Sequence, residues 1–195
     1  MNSVDPTTST LIAKLKASDQ AGWQRLIDLY EPLISAWCRR YGLRESDIAD
    51  LVQDVFSVVS RKVRDYESRS GSTFRGWLWT ITRNKLNDRY RKAKDEIQAA
   101  GGTEAQNRMS AIPEQLLDQS DLHLRQATDR LIKRGLELVR SEFEERTWKI
   151  FWRAAVEGEP TGEIAAEFGI SANAVRQAKS RILRRLREEL GDGPN

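Results

Sequence analysis

The stretch TGEIAAEFGISANAVRQAKSRILRRLREEL, residues 161–190, decides how this 195-residue chain is read. Thr161 to Phe168 makes a short helix, Gly169 to Ser171 a turn, and Ala172 to about Leu190 a longer helix with Val175, Ala178, Ile182 and Leu186 on one face. A short helix, a Gly-containing turn and a long basic helix make the helix-turn-helix pattern. Ala165 is small where the helices must cross closely, and Ser171 is suited to cap the second helix. The first turns of that helix then present Asn173, Arg176, Gln177 and Ser180, of which Arg can read guanine and Asn or Gln adenine in a major groove. Lys179, Arg181, Arg184, Arg185 and Arg187 suit phosphates, contacts that position without specifying.

Outward from this segment, charge is segregated. The chain carries 32 Lys plus Arg and 29 Asp plus Glu, a net charge of only +3. Residues 1–94 hold 17 basic and 11 acidic side chains, whereas residues 95–195 hold 15 and 18. Two local basic blocks emerge, one from Arg83 to Lys94 and one from Arg176 to Arg187, the latter free of acids. Local blocks in a near-neutral chain point to polyanion-binding faces rather than general stickiness.

The periodicity is helical almost throughout, and no strand-like alternation is long enough for a sheet. Helices are predicted over Thr8 to Leu15 and Gln20 to Tyr41. Another, from Asp47 to Val63, has Ile48, Leu51, Val52, Val55, Val59 and Val63 as its buried stripe and Ser46 as its cap. A fourth runs from Phe74 to about Lys94, with Trp77, Leu78 and Ile81 in the core; Tyr66 to Thr73 reads as a loop. Gly101, Gly102 and Pro113 mark residues 95–121 as a flexible linker that could reach roughly 90 Å if fully extended. Helices return over Leu122 to Val139 and Phe143 to Val156. The expected fold is all-α: two small helical domains, 1–94 and 122–190, joined by the linker, the second carrying the helix-turn-helix, with 191–195 as a tail lacking any appended sensory domain.

Several function classes are excluded at this level. No run approaches the ~20 apolar residues of a membrane span, and the polar N-terminus lacks the pattern of a secretory signal, so a cytoplasmic location without membrane insertion is expected. One Cys and one His cannot furnish a zinc site, and no internal disulfide can form. Cys38 is read as a buried small hydrophobe and His123 as without a chemical role. The basic helices contain almost no acids, and neither a Ser/His/Asp arrangement nor a phosphate-binding Gly loop occurs, which disfavours a DNA-processing enzyme such as a recombinase. No catalytic residue, metal or cofactor is expected.

Three stretches in order, DIADLVQDVF (residues 47–56), FRGWLWTITRN (residues 74–84) and EGEPTGEIAAEFGIS (residues 157–171), resemble the extracytoplasmic-function sigma factors of bacterial RNA polymerase. The resemblance covers roughly residues 8–94 and 122–190. It implies a factor that binds core polymerase through its clamp and flap and directs promoter recognition, DNA melting and initiation at a subset of promoters. An anti-sigma factor is a further partner of many relatives. Carried over by position, Asp47, Asp50, Gln53, Asp54 and Phe56 would contact the clamp, the three acids sharing one face opposite the apolar stripe. The loop Ser68, Arg69, Ser70, Gly71 and Ser72 matches where the family captures a flipped base of the minus-ten element, a capture that stabilises open DNA. Arg83, Asn84, Lys85, Asn87 and Arg91 match the minus-ten face, and Trp79 or Tyr90 could stack on single-stranded bases. Ser171, Asn173, Arg176, Gln177, Lys179, Ser180, Arg181 and Arg184 match the minus-thirty-five face. After Val175-Arg176 this chain has Gln177 and Ala178 where the family often has Ser and Arg, so an inherited promoter sequence does not carry over. The aromatic run from Phe143 to Trp152 fits either core or a flap contact. The competing reading is a helix-turn-helix repressor or activator, which leaves the basic and acidic helices of the first half without a purpose.

Overall fold

The computed structural model describes residues 10–67, 73–99 and 122–192, and the regular structure among them is entirely helical. Helix α1 (Leu11–Lys16) begins where the Thr10 hydroxyl accepts a hydrogen bond from the amide of Ala13, and buries Leu11, Ile12 and Leu15. Helix α2 (Gln20–Arg40) is capped by Asp19, whose carboxylate accepts from Gly22 N at 2.9 Å. Gly22 is required there because a Cβ would lie 2.6 Å from Lys14 Cβ where α1 and α2 cross.

Helix α3 (Glu45–Lys62) buries Ile48, Leu51, Val52, Val55 and Val59, the stripe its spacing predicts. Its start differs from the expectation: Arg44 occupies the cap position without a side-chain bond and Ser46 lies inside the helix. Acid in the first turn, Glu45 and Asp47, compensates the open amides instead. Helix α4 (Phe74–Ala99) opens with the Thr73 hydroxyl accepting from Gly76 N at 3.0 Å. It runs past Lys94 into the segment expected to be linker, because residues 93–99 are mostly strong helix formers. Phe74 is fully buried, its ring 5.4 Å from Tyr30 and 5.5 Å from Tyr66, which fixes the entry of α4 against α2.

Helices α5 (Leu122–Arg140), α6 (Glu145–Trp152), α7 (Thr161–Phe168) and α8 (Ala172–Glu189) follow, with a π-helical turn at Arg153–Glu157 closing α6. Of the aromatic run, Trp148 and Phe151 pack with Val139 and Ile182, so it is mainly core, while Trp152 stays 39% exposed. Ile150, Ala154, Ile164, Ala165, Val175 and Ala178 form the core of the last three helices.

The principal core crosses the expected domain division. Leu124, Ala127 and Leu131 of α5, with Leu186 and Leu190 at the end of α8, join the apolar cluster of α1 to α4. Helix α5 lies directly on α2, and α8 reaches α5 closely enough that a Cβ on Gly135 would stand 2.7 Å from Leu186 Cδ1. The two halves, read from sequence as able to sit far apart, are packed together in this structure.

Candidate nucleic-acid interface

The helix-turn-helix is built as its sequence requires. Gly169 ends α7 with φ +62°, a left-handed conformation that glycine adopts without strain, and the amide of Ile170 returns to the carbonyl of Ala165 at 3.0 Å. Ser171 has extended backbone, and its hydroxyl accepts from Ala174 N at 3.1 Å, starting α8. Ile164 and Ala165 pack on Val175 and Ala178, the close crossing for which alanine was expected. The turn before α7 is held by Arg153, whose guanidinium pairs with Glu159 and, at 2.6 Å, with Glu167 of α7. Its hydrogen bonds to both carboxylates raise its pKa further above the ordinary range.

With the apolar stripe inward, Asn173, Arg176, Gln177, Ser180, Arg181, Arg184 and Arg187 are exposed on the rest of α8. Two basic residues depart from the phosphate role. Lys179 is half-buried and donates from Nζ to the carbonyl of Ala154 at 3.2 Å, tying α8 to the turn after α6. Arg185 is only 7% exposed and makes a bidentate pair with Glu142 at 2.6 and 2.7 Å, while its Nη2 also donates to Glu189 at 3.1 Å. Burial opposes the Arg185 charge, but the bonds and charges of Glu142 and Glu189 outweigh it and raise its pKa. It is a structural cation.

On the other half, α3 and α4 lie side by side. Asp50, Gln53 and Asp54 are exposed on α3, and Phe56 is half-buried against the core. Asp47 is set apart from them: 18% exposed, it pairs with Arg89 of α4 at 2.7 Å and Arg44 at 3.0 Å, so it ties α4 to the start of α3. Along α4, Asn84, Asn87 and Arg91 are exposed and Arg83 and Lys85 half-buried, with Lys85 Nζ 3.9 Å from Asp54. Arg91 pairs locally with Asp88 at 2.6 Å. Trp79 packs its ring 5.1 Å from Trp37 and 5.6 Å from Tyr41, and the Tyr90 hydroxyl bonds the carbonyl of Tyr41. Both rings are therefore engaged with α2 and its end rather than standing free for bases. Ser68, Arg69, Ser70, Gly71 and Ser72 lie outside the described residues.

Cys38 is buried, and that burial pushes its thiol up to about 12. Among the described residues no group of three His, Cys, Asp or Glu side chains could hold a metal ion, and no helix is long and apolar enough to cross a membrane.

Family models match the two halves in order: Sigma-70 region 2 over residues 26–96 and Sigma-70, region 4, over residues 144–186. The chain belongs to the sigma-70 family. Within it, the similarity is to the ECF group. The chain is 27% identical over 188 residues to the ECF RNA polymerase sigma factor SigD of Mycobacterium tuberculosis, covering 92% of this chain and 82% of that one. It is 30% identical over 183 residues to SigE of Mycolicibacterium smegmatis, covering 88% and 64%. To the RNA polymerase sigma factor NccH of Alcaligenes xylosoxydans xylosoxydans it is 30% identical over 112 residues, which span 56% of this chain and 59% of NccH. The solved structure of CnrH in complex with the cytosolic domain of CnrY aligns with 90% of this sigma-70 family chain at 22% identity and a TM-score of 0.37. The region 2 match contains α3 and nearly all of α4, and the region 4 match contains α6, α7 and most of α8.

Sequence reasoning missed the contacts that join these regions. Tyr30, Arg25 and Asp192 were not singled out, yet each touches the opposite half. One signal was readable for α8: Arg185 and Glu189, four apart and opposite in charge, flank the stripe of Ile182 and Leu186.

Proposed function

We propose that the protein is a sigma factor, which joins core bacterial RNA polymerase and directs it to a subset of promoters for recognition, melting and initiation. The observation that carries this reading is one chain presenting two unlike solvent faces in the order of regions 2 and 4: the acids Asp50 and Asp54 with the neutral Gln53 beside the α4 cations, and the α8 face from Asn173 to Arg187, which carries no acid. A repressor has use for the second alone.

In this reading Asp50, Gln53 and Asp54 meet a basic surface of the polymerase clamp, with Phe56 supporting the helix from behind. Asn84, Asn87 and Arg91, flanked by Arg83 and Lys85, receive the minus-ten strand, and residues 68–72 take a base that has left the stack. Because unstacking costs a few kcal/mol, binding energy from these groups is what holds DNA open, and no bond is broken. Asn173, Arg176 and Gln177 read bases of the minus-thirty-five element, while Ser180, Arg181, Arg184 and Arg187 position the helix on phosphates. The division 1–94 and 122–190 describes the units that engage these two elements, and Trp152 with Val156 is a candidate contact for the polymerase flap. The test is transcription from a library of promoters by core polymerase with and without the protein. Promoter-dependent initiation supports the reading, whereas sequence-specific DNA binding without any association with core supports a repressor or activator.

A further inference from the structure

Helix α6 and the π-helical turn that closes it grip the helix-turn-helix through side chains around α7 and along α8. Arg146, in the first turn of α6, donates to the carbonyl of Phe168 at the end of α7 at 2.5 Å. Arg153, at the start of the π-helical turn, donates from Nε to Glu159 at 2.8 Å and from Nη1 to Glu167 at 2.6 Å. Its guanidinium also lies 5.7 Å from the centre of the Phe168 ring. The amides of Gly158 and Glu159 both turn back to the carbonyl of Arg153. The next carbonyl, that of Ala154, accepts from Lys179 Nζ of α8 at 3.2 Å. A lysine that the basic run of α8 marks as a phosphate ligand is thus bonded to the protein's own backbone.

Apolar packing alone fixes this part of α8 loosely. Where α8 meets α6 and α7, the core holds three alanines, Ala154, Ala165 and Ala178, beside Ile150, Ile164 and Val175. Methyl groups allow close approach but interdigitate little, and detailed complementarity is what selects one packing among its neighbours. A directed bond from Lys179 to a fixed carbonyl supplies what the alanines lack. The leverage is large, because Asn173 lies six residues, about 9 Å, before Lys179, and a tilt of about 10° about that point moves it by about 1.6 Å. A hydrogen bond to a base edge tolerates a spread of only about 0.5 Å.

We propose that Lys179 is a positioning residue for promoter selectivity: bonded to Ala154, it sets the angle at which α8 presents Asn173, Arg176 and Gln177, and it touches no DNA itself. Arg153 supports it by fixing the turn to which it is bonded. The role rests on the reading of α8 as the minus-thirty-five helix; the bonds rest on the geometry alone. Two kinds of cation on one helix are then separable. Arg181, exposed, neutralises a phosphate and strengthens binding to every sequence, whereas Lys179 strengthens binding to the preferred sequence only.

The experiment takes the full chain, with core polymerase and again alone, through selection from a random duplex library. Affinity for the preferred duplex and for a scrambled one is then measured by fluorescence anisotropy across a salt series. Lys179→Met keeps the apolar stem and removes the donor, and far-ultraviolet circular dichroism confirms equal helix content. Its affinity for the preferred duplex should fall roughly tenfold, and that for the scrambled duplex should stay within about twofold. The slope of log K against log salt should change by less than about 0.5. Arg181→Met should instead weaken both duplexes alike and lower the slope by about 1. Lys179→Arg, which keeps a donor on a long stem, should hold the wild-type preference to within about threefold. If Lys179→Met weakens both duplexes alike and lowers the slope by about 1, Lys179 is a phosphate contact and the proposal is overturned. An unchanged preference, or a loss in Lys179→Arg equal to that in Lys179→Met, overturns it too. So does a wild type that selects no sequence in either setting, since no base readout is then left to position. Selection by the chain alone, without association with core, would sink the sigma-factor reading while the variants still decide the role of Lys179.

Discussion

Arg184 and Arg185 are adjacent cations on a helix expected to bind phosphates, yet they should respond oppositely to truncation. Arg185→Ala leaves the Glu142 and Glu189 carboxylates without the guanidinium that joins them, and Glu189 is nearly inaccessible to water. Removing one partner of a buried ion pair costs about 3–5 kcal/mol. Glu142, at 27% exposed, recovers some hydration, and Glu189 keeps Arg25, so the lower end, about 3 kcal/mol, is the expected loss. For a chain of this size that is a fall in Tm of roughly 6–12 °C. Arg184→Ala, on the exposed face, should change stability by less than about 0.5 kcal/mol. It should instead lower affinity for DNA carrying the minus-thirty-five element and reduce the slope of log K against log salt by about 1. Thermal denaturation followed by circular dichroism, paired with fluorescence anisotropy across a salt series, reads both effects. If Arg185→Ala melts like the wild type and loses a unit of salt slope, the assignment of Arg185 as a structural cation is refuted.

Two further outcomes follow from the same reasoning. Asp54→Arg alters an exposed side chain whose nearest partner is a loose 3.9 Å pair with Lys85, so Tm should stay within about 2 °C. Core polymerase affinity should fall at least roughly tenfold through like-charge contact; a large loss of stability instead would make Asp54 structural. Cys38 has its thiol pushed up to about 12 by burial, partly offset by the charge of Arg39. A thiol whose folded pKa is raised stabilises the fold fully below its ordinary value of 9.0 and loses that contribution as pH climbs towards about 12. Native protein at pH 8 should accordingly react with a thiol reagent only as fast as it opens, and stability should decline between pH 9 and 12. Rapid stoichiometric labelling at pH 8 would contradict the burial.

Much of the architecture was legible because apolar spacing survives translation into packing. The stripe Ile48, Leu51, Val52, Val55 and Val59 is buried as its period requires, and Gly169 with Ser171 placed the turn and the cap of α8. Charge was less transparent. A cation on a basic helix reads as a phosphate ligand, and only the angular position of Arg185 beside Ile182 and Leu186 reveals that it points inward. Asp47 misled for the same reason: one turn before the exposed acids of α3, it is rotated towards Arg89. The joining of the two halves could not be read from local pattern, since Tyr30 to Leu190 and Phe74 to Asp192 are contacts across 160 and 118 positions. Nothing in the sequence near Asp192 distinguishes a tail from a cap for a helix begun so far upstream.

The central claim is that this chain works as a subunit of RNA polymerase. The most direct measurement adds purified full-length protein to core enzyme and reads the 5′ ends of transcripts made from a genomic template library. The expected result is a set of discrete start sites that share upstream elements and vanish without the protein, with Arg176→Ala, at the exposed start of α8, depleting sites by their minus-thirty-five sequence. Transcripts indistinguishable from those of core alone, with no co-elution of protein and core, would contradict it.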